Sequence, residues 1–169
     1  LTDSVDGILG TAFQERDGKK IPTSADIALS NGAVKLDAVF LYADLAGSGL
    51  IAKVCPWDTT AKIIRAYLDC AVRIIRAHEG EIRSFDGDRV MGVFIGDTKR
   101  TNAVKAALKI QWATENLIQK KATARFNSVK NNDVKIRQAC GIVNMWEKRS
   151  MKFAGVDEDV YRSNYQWTP

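Results

Sequence analysis

The sequence is poor in the residues that usually carry metal or redox chemistry. It contains one histidine, His78, and three cysteines, Cys55, Cys70 and Cys140. The number of cysteines is odd and none are spaced as CxxC, so we predict neither a disulfide framework nor a thiolate metal site. We expect reduced cysteines in a cytoplasmic protein. His78 stands at the end of a predicted helix, where a cation is favourable, so a surface role is predicted rather than a catalytic one.

The sequence also lacks long apolar segments. No stretch resembles a signal peptide or the roughly 20 apolar residues of a membrane-spanning helix, so we expect no stable membrane association. The 46% apolar and 27% charged residues are ordinary for a globular domain, and 169 residues can bury a substantial core. A net charge of +5 permits an anionic partner but does not choose among nucleotide, nucleic acid and acidic lipid. A solvated basic surface explains the same charge.

Apolar periodicity predicts an α+β fold. Residues 1–36 are expected to form an N-terminal arm with one short helix, and residues 37–169 a single domain. The predicted order of strand, helix, strand, strand, helix, strand is the ferredoxin-like βαββαβ arrangement. The elements are a buried strand at 38–45, a helix opened by Pro56, a hairpin at 81–95, a helix at 102–119, a strand at 134–142 and an aromatic C-terminal edge strand at 161–167.

The spacing of apolar residues also predicts which helix faces are buried. Trp112 falls on the polar side of the second helix, and we hypothesise that it marks a contact between subunits. The predicted inner positions are Ile64, Leu68, Ala71 and Ile75 in the first helix, and Ala103, Ala107, Ile110, Ala113 and Leu117 in the second.

Two aspartates at the ends of apolar runs are the main candidates for chemistry. Asp44 closes the first strand and Asp88 lies in the hairpin turn, so neighbouring strands would bring the two carboxylates together. Converging carboxylates either share a proton or hold cations, and Mg²⁺ needs few protein ligands beside substrate phosphates. The glycine-bearing turn at 46–49 could present backbone amides to phosphate oxygens. The alternative interpretation is that both aspartates only cap turns.

The segments FLYADLAGSG (40–49) and FDGDRVMGVF (85–94) resemble the class III nucleotidyl cyclase domain, over roughly residues 37–142. The resemblance implies that Asp44 and Asp88 are catalytic and bind two divalent cations, Mn²⁺ or Mg²⁺. It also implies that the Leu45 carbonyl joins the first cation and that the chain forms a homodimer with sites at its interface. The residues expected to hold the triphosphate are Ala46, Gly47, Ser48 and Gly49.

The sequence is most similar to the pyrimidine cyclases of bacterial anti-phage systems called Pycsar, through AVKLDA (33–38), SFDGDRVMG (84–92), FIGD (94–97) and YRSNY (161–165). Such enzymes convert UTP or CTP to the 3′,5′-cyclic monophosphate and pyrophosphate, and the product switches on a separate effector.

Adenylate cyclases read the base with a lysine four residues before the second acid. Ser84 stands there in this chain, which favours a pyrimidine. Tyr42, two residues before Asp44, is also expected to border the base. The residues do not choose between UTP and CTP.

The sequence departs from the family near residues 143–144. The family continues there with a helix whose asparagine and arginine complete the partner's site, and that helix is absent. Either a segment is missing from the sequence at this point, or the chain is a catalytically inactive, nucleotide-binding cyclase-homology domain.

An RNA-binding module is disfavoured because the third strand lacks the aromatic recognition motif, so we predict no nucleic-acid partner. A diguanylate cyclase is disfavoured because no Gly-Gly-Asp/Glu-Glu-Phe run occurs.

Overall fold

The computed structural model describes residues 1–28, 31–144 and 151–154. These residues fall into two compact units, one containing Leu1–Ala38 with the described C-terminal residues and one formed by Val39–Asn144. In chain order the elements are α1 (Thr2–Gly10), β1 (Gln14–Asp17), a 3₁₀ helix (Ser24–Asp26), β2 (Gly32–Leu36), β3 (Val39–Ala46), α2 (Ser48–Val54), α3 (Trp57–Ala77), β4 (Glu81–Asp86), β5 (Arg89–Phe94), α4 (Lys99–Ala113), a π-helical turn (Thr114–Ile118), α5 (Gln119–Arg125), α6 (Asn127–Asn131), β6 (Arg137–Asn144) and β7 (Met151–Ala154).

The first unit contains a three-stranded sheet in the order β1-β2-β7. Strand β1 is parallel to β2, and β7 is antiparallel to it. The central strand β2 buries Ala33, Val34 and Leu36. The predicted N-terminal helix is present as α1, but it buries none of its residues. The predicted aromatic edge strand at 161–167 lies outside the described residues.

The second unit is a four-stranded antiparallel sheet in the order β4-β5-β3-β6, with helices packed on one face. This is the predicted ferredoxin-like order, with the first strand beside the hairpin. Burial alternates along β3 from Leu41 onward, and its residues Val39, Leu41, Ala43 and Leu45 belong to the core cluster shared with α3 and α4. The other face of β3 carries Phe40, Tyr42 and Asp44, because side chains alternate along a strand.

Helix α3 corrects one prediction. Ala71 and Ile75 are fully buried, as predicted, but Ile64 and Leu68, also predicted to be buried, are only partly so, and Ile63 and Tyr67 lie in the core instead. Apolar residues occupy consecutive positions here, about 100° apart around the helix axis, so the pattern alone does not fix which of them faces inward. Contact with the sheet selects the orientation with Ile63 and Tyr67 inward.

The helix after β5 extends beyond the predicted range and changes its winding. A π-helical turn follows α4 before α5 begins, and such a turn displaces the later residues around the helix axis. Ile118 is therefore buried at 7% exposure, whereas Leu117, predicted to face inward, is 40% exposed. Trp112 is exposed, as expected from its position on the polar side of the helix, and its role in a subunit contact stays a prediction. Among the described helices, none combines the length and apolar character needed to cross a bilayer.

Candidate active site

The pairing of β3 with β5 brings the two predicted acids to one end of the sheet. Asp44 stands directly opposite Arg89 in the ladder. Asp88 immediately precedes Arg89 and forms, with Gly87, the two-residue connection between β4 and β5. Gly87 has a φ of 60°, a conformation that favours glycine and permits the tight turn. The register thus places both acidic residues at the end of the sheet where the glycine-bearing turn after β3 begins.

Arg89 is a site residue that the sequence reasoning missed. Its Nε donates a hydrogen bond to Asp44 Oδ1 at 3.3 Å, and its Nη1 lies 3.9 Å from Asp86 Oδ2. The Asp44 side chain is 34% exposed and that of Arg89 is 47% exposed, so water partly screens their attraction. A cation that binds Asp44 must share this carboxylate with Arg89 or displace it. The available sequence signal was the DGDR run, in which Asp86 and Asp88 precede Arg89.

The two residues predicted to border the base lie on the same face of the sheet as Asp44. Met91 of β5 pairs with Tyr42 on one side and with Ser84 on the other. Tyr42 is partly buried and Ser84 is exposed. Because paired residues in an antiparallel ladder point to one face, Tyr42, Met91 and Ser84 form a continuous row beside Asp44. This row lies opposite the face that packs on α3 and α4.

The predicted glycine turn is the entry to the seven-residue helix α2. Ala46 ends β3, and Gly47 adopts a left-handed φ of 76° before the helix starts at Ser48. The Gly47 carbonyl accepts hydrogen bonds from the amides of Leu50, at 2.9 Å, and Ile51, at 3.1 Å. The Ser48 and Gly49 amides are in the first turn, where a helix supplies no acceptors of its own. The turn can therefore offer donors to an anion.

Tyr67 is the second residue that the sequence reasoning missed. Its side chain is 0% exposed, and its hydroxyl has no hydrogen-bonding partner among the described residues. Burial raises the pKa of this hydroxyl well above its usual value, and the nearby charges of Asp44, Cys140 and Asp88 raise it further. Tyr67 therefore remains a neutral hydrogen-bond donor. The prediction missed it because it placed Leu68, the next residue along α3, on the buried side instead.

The donor set suits hard divalent cations rather than zinc. Within the described residues, no group of three or more His, Cys, Asp or Glu side chains is placed to hold a metal by itself. Asp44 and Asp88 offer carboxylate oxygens, the ligand type that Mg²⁺ and Mn²⁺ prefer, and Mg²⁺ commonly completes its coordination with water and substrate phosphates. The acid pair thus fits a cation that arrives with a nucleotide. The Leu45 side chain is buried in the core, and the role of its carbonyl as a ligand stays a prediction.

Solved structures with the same fold are cyclase domains. A bacterial light-regulated adenylyl cyclase aligns with a TM-score of 0.53 at 18% identity, covering 65% of this chain and 30% of that one. The adenylyl cyclase CyaB from P. aeruginosa aligns with the same score and identity, covering 62% and 54%. The GGEEF domain of a diguanylate cyclase from Vibrio cholerae scores 0.50 at 13% identity, over 65% and 63%. The chain thus has the fold of a class III nucleotidyl cyclase domain, and that fold by itself does not select the nucleotide.

Sequence comparison gives a narrower relationship. The chain is 42% identical over 142 residues to a protein named uridylate cyclase from Rhodovulum sp. (strain MB263), covering 84% of this chain and 59% of that protein. It is 38% identical over 131 residues to a uridylate cyclase from Xanthomonas perforans, covering 77% and 57%. No family model matches. The chain is therefore a homologue of the uridylate cyclases, and it spans about three fifths of their length.

Proposed function

We propose that this chain is the catalytic domain of a pyrimidine nucleotide cyclase that converts UTP to 3′,5′-cyclic UMP and pyrophosphate. The observation that carries the proposal is the β3–β5 register, which places Asp44 and Asp88 beside the turn that opens α2. The names of the relatives favour UTP over CTP.

In this proposal the acid pair holds two divalent cations, Mn²⁺ or Mg²⁺, and the Leu45 carbonyl contributes to the first. Such cations neutralise the triphosphate and lower the pKa of the ribose 3′-hydroxyl. The backbone amides at 46–49 orient the phosphates. The 3′-oxygen then attacks the α-phosphorus in line, the bond to the β-phosphate oxygen breaks, and pyrophosphate leaves. The protein's contribution is mainly positioning and charge stabilisation.

We assign selection of the nucleotide base to the row formed by Tyr42, Met91 and Ser84 on the open face of the sheet. Ser84 replaces the base-reading lysine of adenylate cyclases with a short hydroxyl, which can donate to or accept from a base without a charge. Tyr42 lies across Met91 from Ser84 and would border the opposite side of the base. We expect these three side chains to contact the base of a pyrimidine, which is smaller than a purine.

We further propose a cytoplasmic homodimer with active sites at its interface, whose cyclic nucleotide signals to a separate effector in anti-phage defence. The basis is the resemblance to the Pycsar cyclases. The second candidate function is an inactive domain that binds nucleotide without turnover. The observation in its favour is the ion pair that already engages Asp44 with Arg89.

Incubation of the protein with Mn²⁺ and each of the four ribonucleoside triphosphates separates the two functions. We expect cyclic UMP by liquid chromatography and mass spectrometry, and its loss in the Asp44→Asn and Asp88→Asn variants. Asp58→Asn is the matched control, since Asp58 is an exposed partner of Lys62 on α3 and should leave turnover unchanged. Nucleotide binding without any cyclic product would support the inactive domain. Undiminished product from Asp44→Asn would overturn the assignment of the acid pair.

A further inference from the structure

An apolar groove lies among the helices of the second unit and shares no residue with the candidate active site. Its volume is about 450 Å³, within the range of about 300–1,000 Å³ that small-molecule sites occupy. Helix α3 forms one wall, and the π-helical turn, α5 and the residue after α5 form the other. The side chains of these walls include Ile63, Ala66, Cys70, Leu117, Ile118 and Phe126. The proposed nucleotide chemistry uses none of them, so the groove has no assigned role.

The π-helical turn shapes the second wall of the groove. The Gln119 amide donates to the Thr114 carbonyl five residues earlier, whereas an α-helix joins residues four apart. Within this turn Ile118 is buried, but Leu117 is left with a large apolar side chain in contact with water. Such turns are rare in helices and often lie at functional sites. An apolar ligand in the groove would remove Leu117 from water, and that burial is favourable.

The groove is bordered by positive charge. Among its described lining residues three are basic, namely Lys62, Lys121 and Arg125, and none is acidic. Lys62 is already paired with Asp58 at 2.9 Å. Lys121 and Arg125 are exposed and make no ion pair with any described residue. They stand four residues apart on α5, so they lie on one side of the helix, where like charges repel. An anion bound between them would offset that repulsion.

We propose that this groove binds a single aliphatic chain that ends in a carboxylate. The chain would lie against Leu117, Ile118 and Phe126, and the carboxylate would bind Lys121 and Arg125, since a guanidinium pairs well with a carboxylate. A sugar or nucleobase is disfavoured because, apart from the Cys70 thiol, the described lining offers no uncharged side chain that forms hydrogen bonds. A membrane is disfavoured because membrane-surface helices insert protruding apolar side chains, whereas a groove encloses a chain. The inference is independent of the proposed nucleotide chemistry.

The first experiment is a calorimetric titration of the full chain with dodecanoate below its critical micelle concentration. We expect one dodecanoate per chain, and weaker binding of octanoate, which has a shorter chain to bury. Lys121→Met and Arg125→Met should each weaken dodecanoate binding by about twofold to fivefold, the scale of one partly exposed ion pair. Lys120→Met is the matched control, because Lys120 is exposed on the same helix but does not line the groove. It should bind dodecanoate as the wild type does.

A second pair of variants tests where the aliphatic chain lies. Ala66→Trp would fill the groove and should abolish dodecanoate binding. Ala124→Trp adds the same side chain at an exposed position of α5 that does not line the groove, and it should bind normally. The urea midpoints of both variants check that they fold. Dodecanoate should also slow the alkylation of Cys70 by iodoacetamide at alkaline pH without slowing that of Cys140, which is exposed and lies outside the groove.

Three results would overturn the inference. The first is dodecanoate binding that is absent in the full chain or equally strong in a folded Ala66→Trp variant. The second is binding to phosphatidylglycerol vesicles without binding to dodecanoate, which would assign the basic groove to a membrane surface. The third is a wild type that does not bind dodecanoate and an Ala66→Trp variant of lower oligomeric mass by analytical ultracentrifugation, which would assign the groove to a second copy of the chain.

Discussion

Replacing Arg89 by methionine should tighten the binding of Mn²⁺ in the absence of nucleotide. Arg89 donates to Asp44 Oδ1 at 3.3 Å, so a cation that uses this carboxylate must compete with the guanidinium. Methionine keeps an unbranched apolar stem without the charge. The variant therefore removes the ion pair that stabilises the cation-free state. It also removes the repulsion between the Arg89 guanidinium and the bound Mn²⁺, and both effects favour Mn²⁺ binding.

The size of the effect follows from the separation and exposure of the pair. Two unit charges about 3.3 Å apart attract by roughly 1.3 kcal/mol in bulk water. The side chains are 34% and 47% exposed, and ion pairs at such positions contribute about 0.2–1 kcal/mol after the ordering of two side chains. Loss of the competition from Arg89 corresponds to about a 1.4-fold to fivefold gain in Mn²⁺ affinity.

The assay is a Mn²⁺ titration at low and at high ionic strength, with Arg73→Met as the control. Arg73 is paired with Asp69 on the exposed surface of α3, at 2.9 Å, so its variant changes the same charge in a different place. The gain for Arg89→Met should shrink at high salt, because ions screen exposed charges. An unchanged or weaker affinity for Arg89→Met would show that cation binding does not displace Arg89 from Asp44.

Two further predictions test the packing and the cysteines. Gly92→Ala should destabilise the fold by about 1–3 kcal/mol in urea unfolding, because the new Cβ would lie 2.8 Å from Ile75 Cγ2 in a filled core; unchanged stability would mean that Ile75 moves aside freely. Cys140, which is exposed on β6, should react with iodoacetamide at pH 8 before Cys70, whose pKa is raised by partial burial and by Asp69. The rates should converge as the pH rises and Cys70 ionises, and equal rates at pH 8 would contradict the reasoning.

The order of strands and helices was predictable because each element leaves a local pattern. The apolar run at β3 and the turn chemistry of Gly87 and Asp88 identified the central strand and the hairpin without any tertiary information. Helix orientation was less predictable. Consecutive apolar residues such as Ile63 and Ile64 satisfy helical periodicity in two orientations, and only contact with the sheet distinguishes them.

The residues of the candidate site also differ in how far the sequence alone could identify them. Asp44, Asp88 and the glycine turn stood out from the sequence because two acids at the ends of neighbouring predicted strands lie beside a turn that can present backbone amides. The partners of these acids did not stand out. Arg89 meets Asp44 only through the β3–β5 register, and Tyr67 enters the core beside Ala43 and Leu45 only through the packing of α3 on the sheet.

The sequence by itself determined the ferredoxin-like order, the two acids and the turn beside them, since periodicity, turn preference and charge are properties of neighbouring residues. Only the tertiary structure decided that Arg89 pairs with Asp44 and that Tyr67 is buried in the core with a hydroxyl that has no hydrogen-bonding partner among the described residues. These relationships join residues far apart in the chain. They depend on strand register and helix orientation, which no local pattern encodes.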